Sequence, residues 1–163
     1  MLSLRAAVAA DVPLILALVR ELAAYEKEPD AVVATEADLL RDGFGDDPGF
    51  RVLLAEDEGE PAGFALYFFA YSTWRGRRVL YLEDLFVRPS HRHRGIGLGL
   101  MRRLARLAVD QGCARFVWEV LDWNEPALRF YASLGAEVLR TWLNVRLEGE
   151  ALERLAREDG NGG

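Results

Sequence analysis

The chain has 163 residues, of which 51% are hydrophobic and 28% charged, and this fits one globular domain with a full core. Its formal net charge of −6 argues against a nucleic-acid partner, because nucleic-acid binding needs a basic surface. The apolar run at residues 12–19 is far too short to span a bilayer, so no membrane partner is expected. Its one cysteine cannot form a disulfide within the chain, and we expect a cytoplasmic protein.

The first half of the chain carries both helix and strand signals. Asp11 is a suitable N-cap and predicts a helix that runs to Tyr25. Thr35 and Asp38 have the spacing of a capping box, which predicts a second, short helix to Arg41. Alternating, β-branched and aromatic patterns predict strands at residues 2–5, 50–56, 61–71 and 79–87.

The second half continues the alternation of elements. After the central strand at residues 79–87, apolar residues at helical spacing predict a long amphipathic helix to about residue 111. Asn124 is placed to cap a later helix that ends before Gly135. The remaining predictions are strands at residues 114–120 and 138–147, a helix at residues 150–157, and a disordered tail at residues 158–163. The predicted domain is therefore residues 1–157.

The turn between the central strand and the long helix is rich in glycine. Arg92, Gly95 and Gly97 form the pattern R-x-x-G-x-G, and Gly99 adds a further glycine. A helix start attracts anions through its unpaired N–H groups, and glycines let a phosphate approach the backbone closely. The chain lacks the GK[ST] end of a P-loop, and its glycine spacing differs from the dinucleotide fingerprint G-x-G-x-x-G. The turn therefore predicts a phosphate cradle of another kind.

Two carboxylates, Glu83 and Asp84, interrupt the apolar central strand. Because side chains alternate along a strand, Glu83 is expected to share a face with Tyr81. Asp84 is expected on the other face, with Leu82 and Phe86. A carboxylate there is costly unless it is paired or open to a water-filled cleft. Two interpretations follow, a structural pair with an arginine or a cleft acid that holds or deprotonates a cationic substrate.

Several of these stretches resemble one enzyme family. The R-x-x-G-x-G turn after a strand ending in LFV resembles the acetyl-CoA pyrophosphate loop of the GCN5-related N-acetyltransferases (GNAT). WNEPALRFYASLGA resembles a late motif of that superfamily, whose tyrosine protonates the departing CoA thiolate. ELAAYEKEPD, GFALYFFAYSTWRGR and LYLEDLFV occur in the order typical of the diamine (spermidine/spermine) and thialysine branch. The resemblance spans residues 4–147.

The resemblance implies an α/β (α+β) fold in one domain, with a mixed central sheet of about six to seven strands and helices on both faces. It also implies a homodimer that transfers acetyl from acetyl-CoA to a small amine without a metal. Tyr131 would be the general acid and Glu83 a second catalytic residue. The amine would contact Tyr25, Glu26, Trp74, Glu83 and Asp84. The acyl donor would contact Leu85, Phe86, Val87, Arg92, His93, Arg94, Gly95, Ile96, Gly97, Leu98, Asn124, Glu125, Pro126 and Ala127.

One departure from the branch bears on the substrate. The diamine enzymes carry an acidic pair shortly before the tryptophan that matches Trp142, whereas this chain has LRTWL with Arg140 near that position. If Arg140 faces the pocket, it would repel a long polycation and favour a smaller amine or an amino acid. Two other functions stay open. One is an acetyltransferase for protein N-termini, lysines or amino acids, and the other is an acyl-CoA-binding sensor without catalysis.

Overall fold

The computed structural model describes residues 1–157, which form two compact units, Met1–Glu119 and residues 120–157. The predicted disordered tail, residues 158–163, lies outside the described residues. The first unit holds a five-stranded sheet whose strand order follows the chain. The strands are β1 (Leu2–Ala6), β2 (Arg51–Asp57), β3 (Glu60–Ser72), β4 (Arg77–Val87) and β5 (Arg115–Trp118).

The sheet is mixed, as predicted. β1, β2, β3 and β4 pair in antiparallel fashion, while β5 runs parallel to β4. The parallel step requires a crossover connection, and a helix supplies it. The helices of the first unit are α1 (Val12–Tyr25), α2 (Glu36–Phe44) and the crossover helix α3 (Ile96–Asp110). The second unit contains α4 (Glu125–Ser133) and α5 (Gly149–Arg157).

The structure confirms the predicted cap of α2 and gives Asp11, the predicted cap of α1, a different role. The amide of Asp38 donates to the Thr35 hydroxyl at 3.2 Å, and the Thr35 amide donates to the Asp38 carboxylate at 2.9 Å. This confirms the capping box, although α2 continues past Arg41 to Phe44. Asp11 makes no side-chain cap of α1. Its carboxylate instead accepts from the amide of Val8 at 2.8 Å, so it caps the short 3₁₀ turn that precedes α1.

Helices cover both faces of the sheet. On one face, Ile15 and Leu18 of α1 pack against buried side chains of three strands, among them Phe64 and Phe86. We call this the α1 face. On the other face, α3 lies against β1, because a Cβ built on Gly99 would approach the side chains of Leu2 and Leu4 at 3.3 and 3.7 Å. This two-sided cover fixes the central strand β4 between two packed layers.

The last predicted strand is wrong. Residues 138–147 form no strand, and the described part of the chain has five strands rather than six to seven. The period-two pattern is present, but a strand requires hydrogen bonds to a neighbouring strand, and no ladder includes these residues. Their apolar side chains are therefore left in solvent, with Leu143 84% and Val145 91% exposed.

Candidate active site

A β-bulge shapes the middle of β4. Asp84 pairs with Leu66 of β3 and Leu82 pairs with Tyr67, so that Glu83 has no counterpart. Such a bulge inserts one residue and re-aims the side chains on either side of it. Glu83 is exposed as a result, whereas Asp84 is partly buried.

The bulge reverses the alternation of side chains along β4. Residues that pair across strands share a face, so Asp84 lies with Leu66 on the α1 face. Tyr81 pairs with Phe68, two residues beyond Leu66 on β3, and the two rings stack at 4.9 Å. Tyr81 therefore shares a face with Asp84. The predicted neighbours were right for Phe86 but wrong for Leu82, because alternation assumes a strand without an extra residue.

The β4–β5 ladder ends just before the bulge. β5 pairs with residues 79–82 of β4, and its last paired residue, Trp118, lies opposite Leu82. No strand of the described residues borders residues 83–87 on that side. The C-terminal half of β4 therefore presents an open edge on the side where β5 has ended.

Backbone groups line this open edge in a fixed order. The Arg88 amide donates to the Ala62 carbonyl at 2.9 Å, which shows which residues of β4 direct their backbone toward β3. Because this direction alternates, the groups of Phe86 also face β3, while those of Leu85 and Val87 face the open edge. Of the three predicted contacts to the acyl donor, Leu85 and Val87 thus offer backbone groups. Phe86 offers a ring that is buried in the core.

Asp84 is a partly buried acid on the α1 face. Burial, together with the nearby charges of Glu83 and Glu26, raises its pKa to about 7. Among the described residues, no ion pair joins Asp84 to an arginine or a lysine. The structural-pair interpretation therefore fails for this residue. Glu26 directly follows α1, and burial raises its pKa as well.

Two further residues of this end of the sheet were missed by sequence analysis. Burial raises the pKa of Tyr81 to about 12, helped by the charge of Glu119, which also hydrogen-bonds the phenol, and by Glu83. Glu119 follows the last residue of β5. The parallel register that pairs Leu82 with Trp118 brings Glu119 level with the bulge. That register depends on contacts between distant stretches, so no local signal marked the pair.

The glycine-rich turn has the geometry of a phosphate cradle. His93 and Gly95 take left-handed backbone angles, φ +61° and +77°, and α3 begins at the next residue, Ile96. The amides of the first helical turn have no intrahelical acceptor, so those of Ile96, Gly97 and Leu98 stay available to an anion. Gly99 does not belong to this set. Its amide donates to the Gly95 carbonyl at 2.8 Å, and its missing side chain makes room for β1.

The charged side chains of this turn contact the protein itself. Arg92 donates through Nε to the Val87 carbonyl at 3.0 Å, and its guanidinium lies 4.6 Å from the centre of the Tyr25 ring. Arg94 donates to Asp57 at 2.9 Å, at the end of β2. The predicted contacts of Arg92, His93 and Arg94 with the acyl donor stay predictions.

The second unit supplies the late motif. Asn124 is buried, and its side-chain oxygen accepts from the Ala127 amide at 3.3 Å, which confirms it as the cap of α4. Glu125 and Pro126 occupy the first turn of this helix. Tyr131 lies about two turns further along and is partly buried. Contacts of Asn124, Glu125, Pro126 and Ala127 with the acyl donor, and of Tyr131 with the leaving thiol, stay predictions.

Trp74 lies away from the other predicted amine contacts. It sits in the turn between β3 and β4 and is 86% exposed. The strand from Arg77 to Glu83 advances by about 3.3 Å per residue, which is roughly 20 Å in all. Within one chain, the structure therefore brings Tyr25, Glu26, Glu83 and Asp84 to one end of β4 and leaves Trp74 at the other.

Other classes of site are not found in the described residues. Within residues 1–157, no group of three or more His, Cys, Asp and Glu side chains is arranged to hold a metal ion. None of the helices in this part of the chain has the length and hydrophobicity that crossing a membrane would take.

Comparison with known proteins identifies the class. Residues 16–136 match the acetyltransferase (GNAT) family, and the chain belongs to that family. It is 46% identical over 153 residues to the thialysine N-epsilon-acetyltransferase of Sus scrofa, covering 87% of this chain and 89% of that protein. It is 42% identical to the human spermidine/spermine N(1)-acetyltransferase-like protein 1, covering 96% of this chain and 24% of that protein.

A solved structure agrees with this placement. An integron cassette protein from the mobile metagenome of V. cholerae superimposes with a TM-score of 0.81 at 31% identity, over 96% of this chain and 98% of that one. The resemblance to the diamine and thialysine branch is thereby confirmed, as is the α/β fold. The protein is an N-acetyltransferase that acts on an amine.

Proposed function

We propose that the protein transfers the acetyl group of acetyl-CoA to a primary amine of a small cationic substrate, of the thialysine or diamine and polyamine type. The observation that carries this proposal is the group of acids at the open edge of β4. The charges of Glu26 and Glu83 both raise the pKa of Asp84 there, and no cation of the described residues forms an ion pair with any of the three. A cationic substrate would supply the missing charge.

The acyl-donor side of the site fits acetyl-CoA, which would supply the thioester. The bare amides of Ile96, Gly97 and Leu98 suit a diphosphate at the start of α3. The backbone groups of Leu85 and the amide of Val87 suit the amide groups of an extended pantetheine arm, which would bind as an added strand does, while the Val87 carbonyl accepts from Arg92. An amide of the same edge would polarise the carbonyl under attack.

The amine side must remove a proton before attack. An alkylamine with a pKa near 10.4 is protonated at pH 7, so freeing its lone pair costs about 4 to 5 kcal/mol. Asp84, with its pKa raised to about 7, is suited to accept a proton near neutral pH. Glu83 is exposed at the bulge and would pass the proton on through water. Direct attack of the freed amine on the thioester then follows.

Tyr131 is proposed as the general acid that protonates the departing thiolate. The support is its place in the late motif, about two turns after the helix cap Asn124 on α4. The relatives named for thialysine and spermidine/spermine acetylation match this chain across that region. A tyrosine positioned at a leaving group is worth roughly 10²- to 10⁴-fold in rate.

The proposal includes a homodimer. Residues 139–147 are rich in apolar side chains, which alternate strictly with polar ones from Leu143 to Leu147, yet no strand among the described residues pairs with them. An exposed, apolar sequence with the period of a strand is a ready partner for another chain. The exposed apolar side chains of this stretch are Leu139, Trp142, Leu143, Val145 and Leu147. A cytoplasmic location remains a prediction of the sequence.

An acetylation screen tests the proposed function. The panel contains thialysine, lysine, diamines, polyamines, small amino acids and a peptide with a free N-terminus, and the readout is thiol release from acetyl-CoA. We expect the highest kcat/KM for thialysine or a diamine. Activity on the peptide alone would favour a protein acetyltransferase. Binding of acetyl-CoA without thiol release for any amine would favour a sensor. Preference for amines with a carboxylate over polyamines would be consistent with Arg140 facing the pocket.

A further inference from the structure

Arg92 connects the glycine-rich turn to the end of α1. Its Nε donates to the Val87 carbonyl, one of the groups at the open edge of β4, at 3.0 Å. Its guanidinium lies 4.6 Å from the centre of the Tyr25 ring and 5.9 Å from that of Phe86. Tyr25 is the last residue of α1, and the acid Glu26 follows it. One side chain therefore contacts the cradle's supporting strand and the amine side of the site together.

We propose that Arg92 is a positioning residue that couples the acyl-donor side of the site to the amine side, a role that rests on the proposed function. An arginine in a phosphate loop is usually taken for a phosphate ligand. Here one N–H donor is bound to Val87, and one face of the guanidinium covers an aromatic ring. The bare amides at the start of α3 already supply the anion-binding groups, so the cradle does not depend on this side chain.

The charge of Arg92 also suits its place beside α1. The carboxyl end of a helix carries a partial negative charge, which a nearby cation stabilises. Tyr25 adds the face of its ring, which attracts a guanidinium. Among the described residues, no ion pair joins Arg92 to Asp84 or Glu26, so Arg92 does not neutralise these acids. The guanidinium thus holds the end of α1 in place and leaves the acids to the substrate.

Coupling between two ligands follows from this connection. A donor that orders the turn also orders Val87 and Arg92, and through Tyr25 it fixes the position of Glu26. Binding of the donor therefore increases the affinity for the amine. The amine must increase the affinity for the donor by the same factor, because binding free energies are reciprocal.

Calorimetry with CoA and thialysine measures this factor without turnover. CoA is titrated into the full-length protein with and without thialysine, and the two dissociation constants are divided. We expect Arg92→Ala to reduce the ratio by about 3- to 30-fold, the range of a cation–π contact. Arg92→Lys should reduce the ratio as Arg92→Ala does. An ammonium lacks the planar guanidinium, which donates hydrogen bonds and stacks on an aromatic ring at the same time. Tyr25→Phe should keep the coupling and Tyr25→Leu should lose it.

Arg94→Ala is the matched control, since Arg94 lies in the same turn but pairs with Asp57. Because Arg94 is a predicted contact of the acyl donor, Arg94→Ala would weaken CoA binding by one factor with and without thialysine, so the coupling ratio should stay unchanged. If Arg92→Ala weakens CoA by one factor with and without thialysine, Arg92 is a phosphate ligand and the inference is overturned. If the wild-type protein acetylates no amine in the screen, the proposed function fails instead.

Hydrogen exchange gives a readout that needs no ligand. Arg92→Ala should speed amide exchange both in residues 88–98 and at the end of α1, whereas Arg94→Ala should affect only the turn. Unchanged exchange at the end of α1 in Arg92→Ala would overturn the inference, whatever the calorimetry shows.

Discussion

Tyr81 and Asp84 lie on the same face of β4. On a regular strand, two residues that are three positions apart lie on opposite faces. The extra residue, Glu83, makes up the difference. It places the phenol and the carboxyl on the α1 face and exposes its own carboxylate just beyond the end of the β4–β5 ladder. One inserted residue thus gathers the acids that the proposed function assigns to the amine.

Asp84→Asn should stabilise the protein above pH 7. The pKa of Asp84 is about 7 in the folded state and near its ordinary value of about 3.9 in the unfolded chain. The folded state therefore binds the extra proton, and stability is lost as the pH rises from about 4 through 7. Roughly three pKa units correspond to at most about 4 kcal/mol. Urea unfolding at pH 4 and pH 8 should show a gain only at pH 8.

Asp46→Asn is the control for this substitution, since Asp46 is an exposed aspartate in the loop before β2. It should change the free energy of unfolding little at either pH. Asp84→Asn should also weaken amine binding, which is the expected cost of a site that keeps a buried acid. Equal stability of the wild type and Asp84→Asn at pH 8 would contradict the raised pKa.

Glu83→Gln should raise the KM for the amine with little effect on the KM for acetyl-CoA. Glu83 is exposed, so its attraction to a cation is about 1 kcal/mol at contact in water-like surroundings, or roughly fivefold. Steady-state kinetics with each substrate varied in turn measure both constants. Glu58→Gln, in the exposed turn between β2 and β3, is the control. An effect on the KM for acetyl-CoA alone would mean that Glu83 belongs to the acyl-donor side of the site and not to the amine side.

The sequence correctly predicted the features that depend on contacts between residues close together in the chain. Thr35 and Asp38 cap α2 through bonds across three residues, and Asn124 caps α4 in the same way. The bulge at Glu83 was not predictable, because it depends on the register between β4 and β3, whose residues lie elsewhere in the sequence. The contact of Arg92 with Tyr25 is equally long-range. The motif indicated an anion site at this turn but gave no information on the partner of the guanidinium.

The stretch at residues 138–147 also shows that a sequence pattern does not identify long-range partners. The alternation at residues 143–147 has the period of a strand, yet a strand exists only where another strand bonds to it. The pattern specifies which side chains share a face, and it contains no information on which edge will accept the backbone. In a dimer, the second chain can supply the neighbouring strand that this stretch does not have within one chain.

Replacing Leu143 and Val145 by glutamate should shift the protein from dimer to monomer. Both side chains are more than four-fifths exposed and lie on one face of the alternating stretch. Two buried charges would oppose association strongly. Sedimentation velocity of the double variant measures the change. Val33→Glu is the matched control, because Val33 is 87% exposed in a loop outside this stretch. A wild-type protein that sediments as a monomer at all concentrations would contradict the proposed dimer.

Tyr131→Phe should lower kcat by roughly 10²- to 10⁴-fold and leave acetyl-CoA binding nearly intact, because it removes only the proton donor. Single-turnover thiol release and calorimetry with acetyl-CoA separate the two effects. Tyr71→Phe is a suitable control, since Tyr71 lies 65% exposed near the end of β3. A kcat equal to that of the wild type would remove Tyr131 from the mechanism.

Gly63→Ala should damage both the fold and the acyl-donor side of the site. A Cβ on Gly63 would clash with the Phe86 carbonyl oxygen and would lie 3.1 Å from the Val87 Cα. Both neighbours are backbone, so β3 and β4 would have to separate at the C-terminal end of β4. Overpacking of this kind costs about 1 to 3 kcal/mol or more. Since Val87 is one of the open-edge residues, the KM for acetyl-CoA should rise together with the loss of stability.

Gly49→Ala provides the comparison for this substitution. Its Cβ would meet only the Asp42 carbonyl oxygen at 3.6 Å, an ordinary contact, so stability and KM should stay near those of the wild type. Thermal unfolding and initial rates with varied acetyl-CoA test both variants under the same conditions. If Gly63→Ala unfolds earlier but keeps the wild-type KM, the separation of the strands does not reach the donor groups. The predicted link between the strand spacing at Val87 and acyl-donor binding would then be wrong.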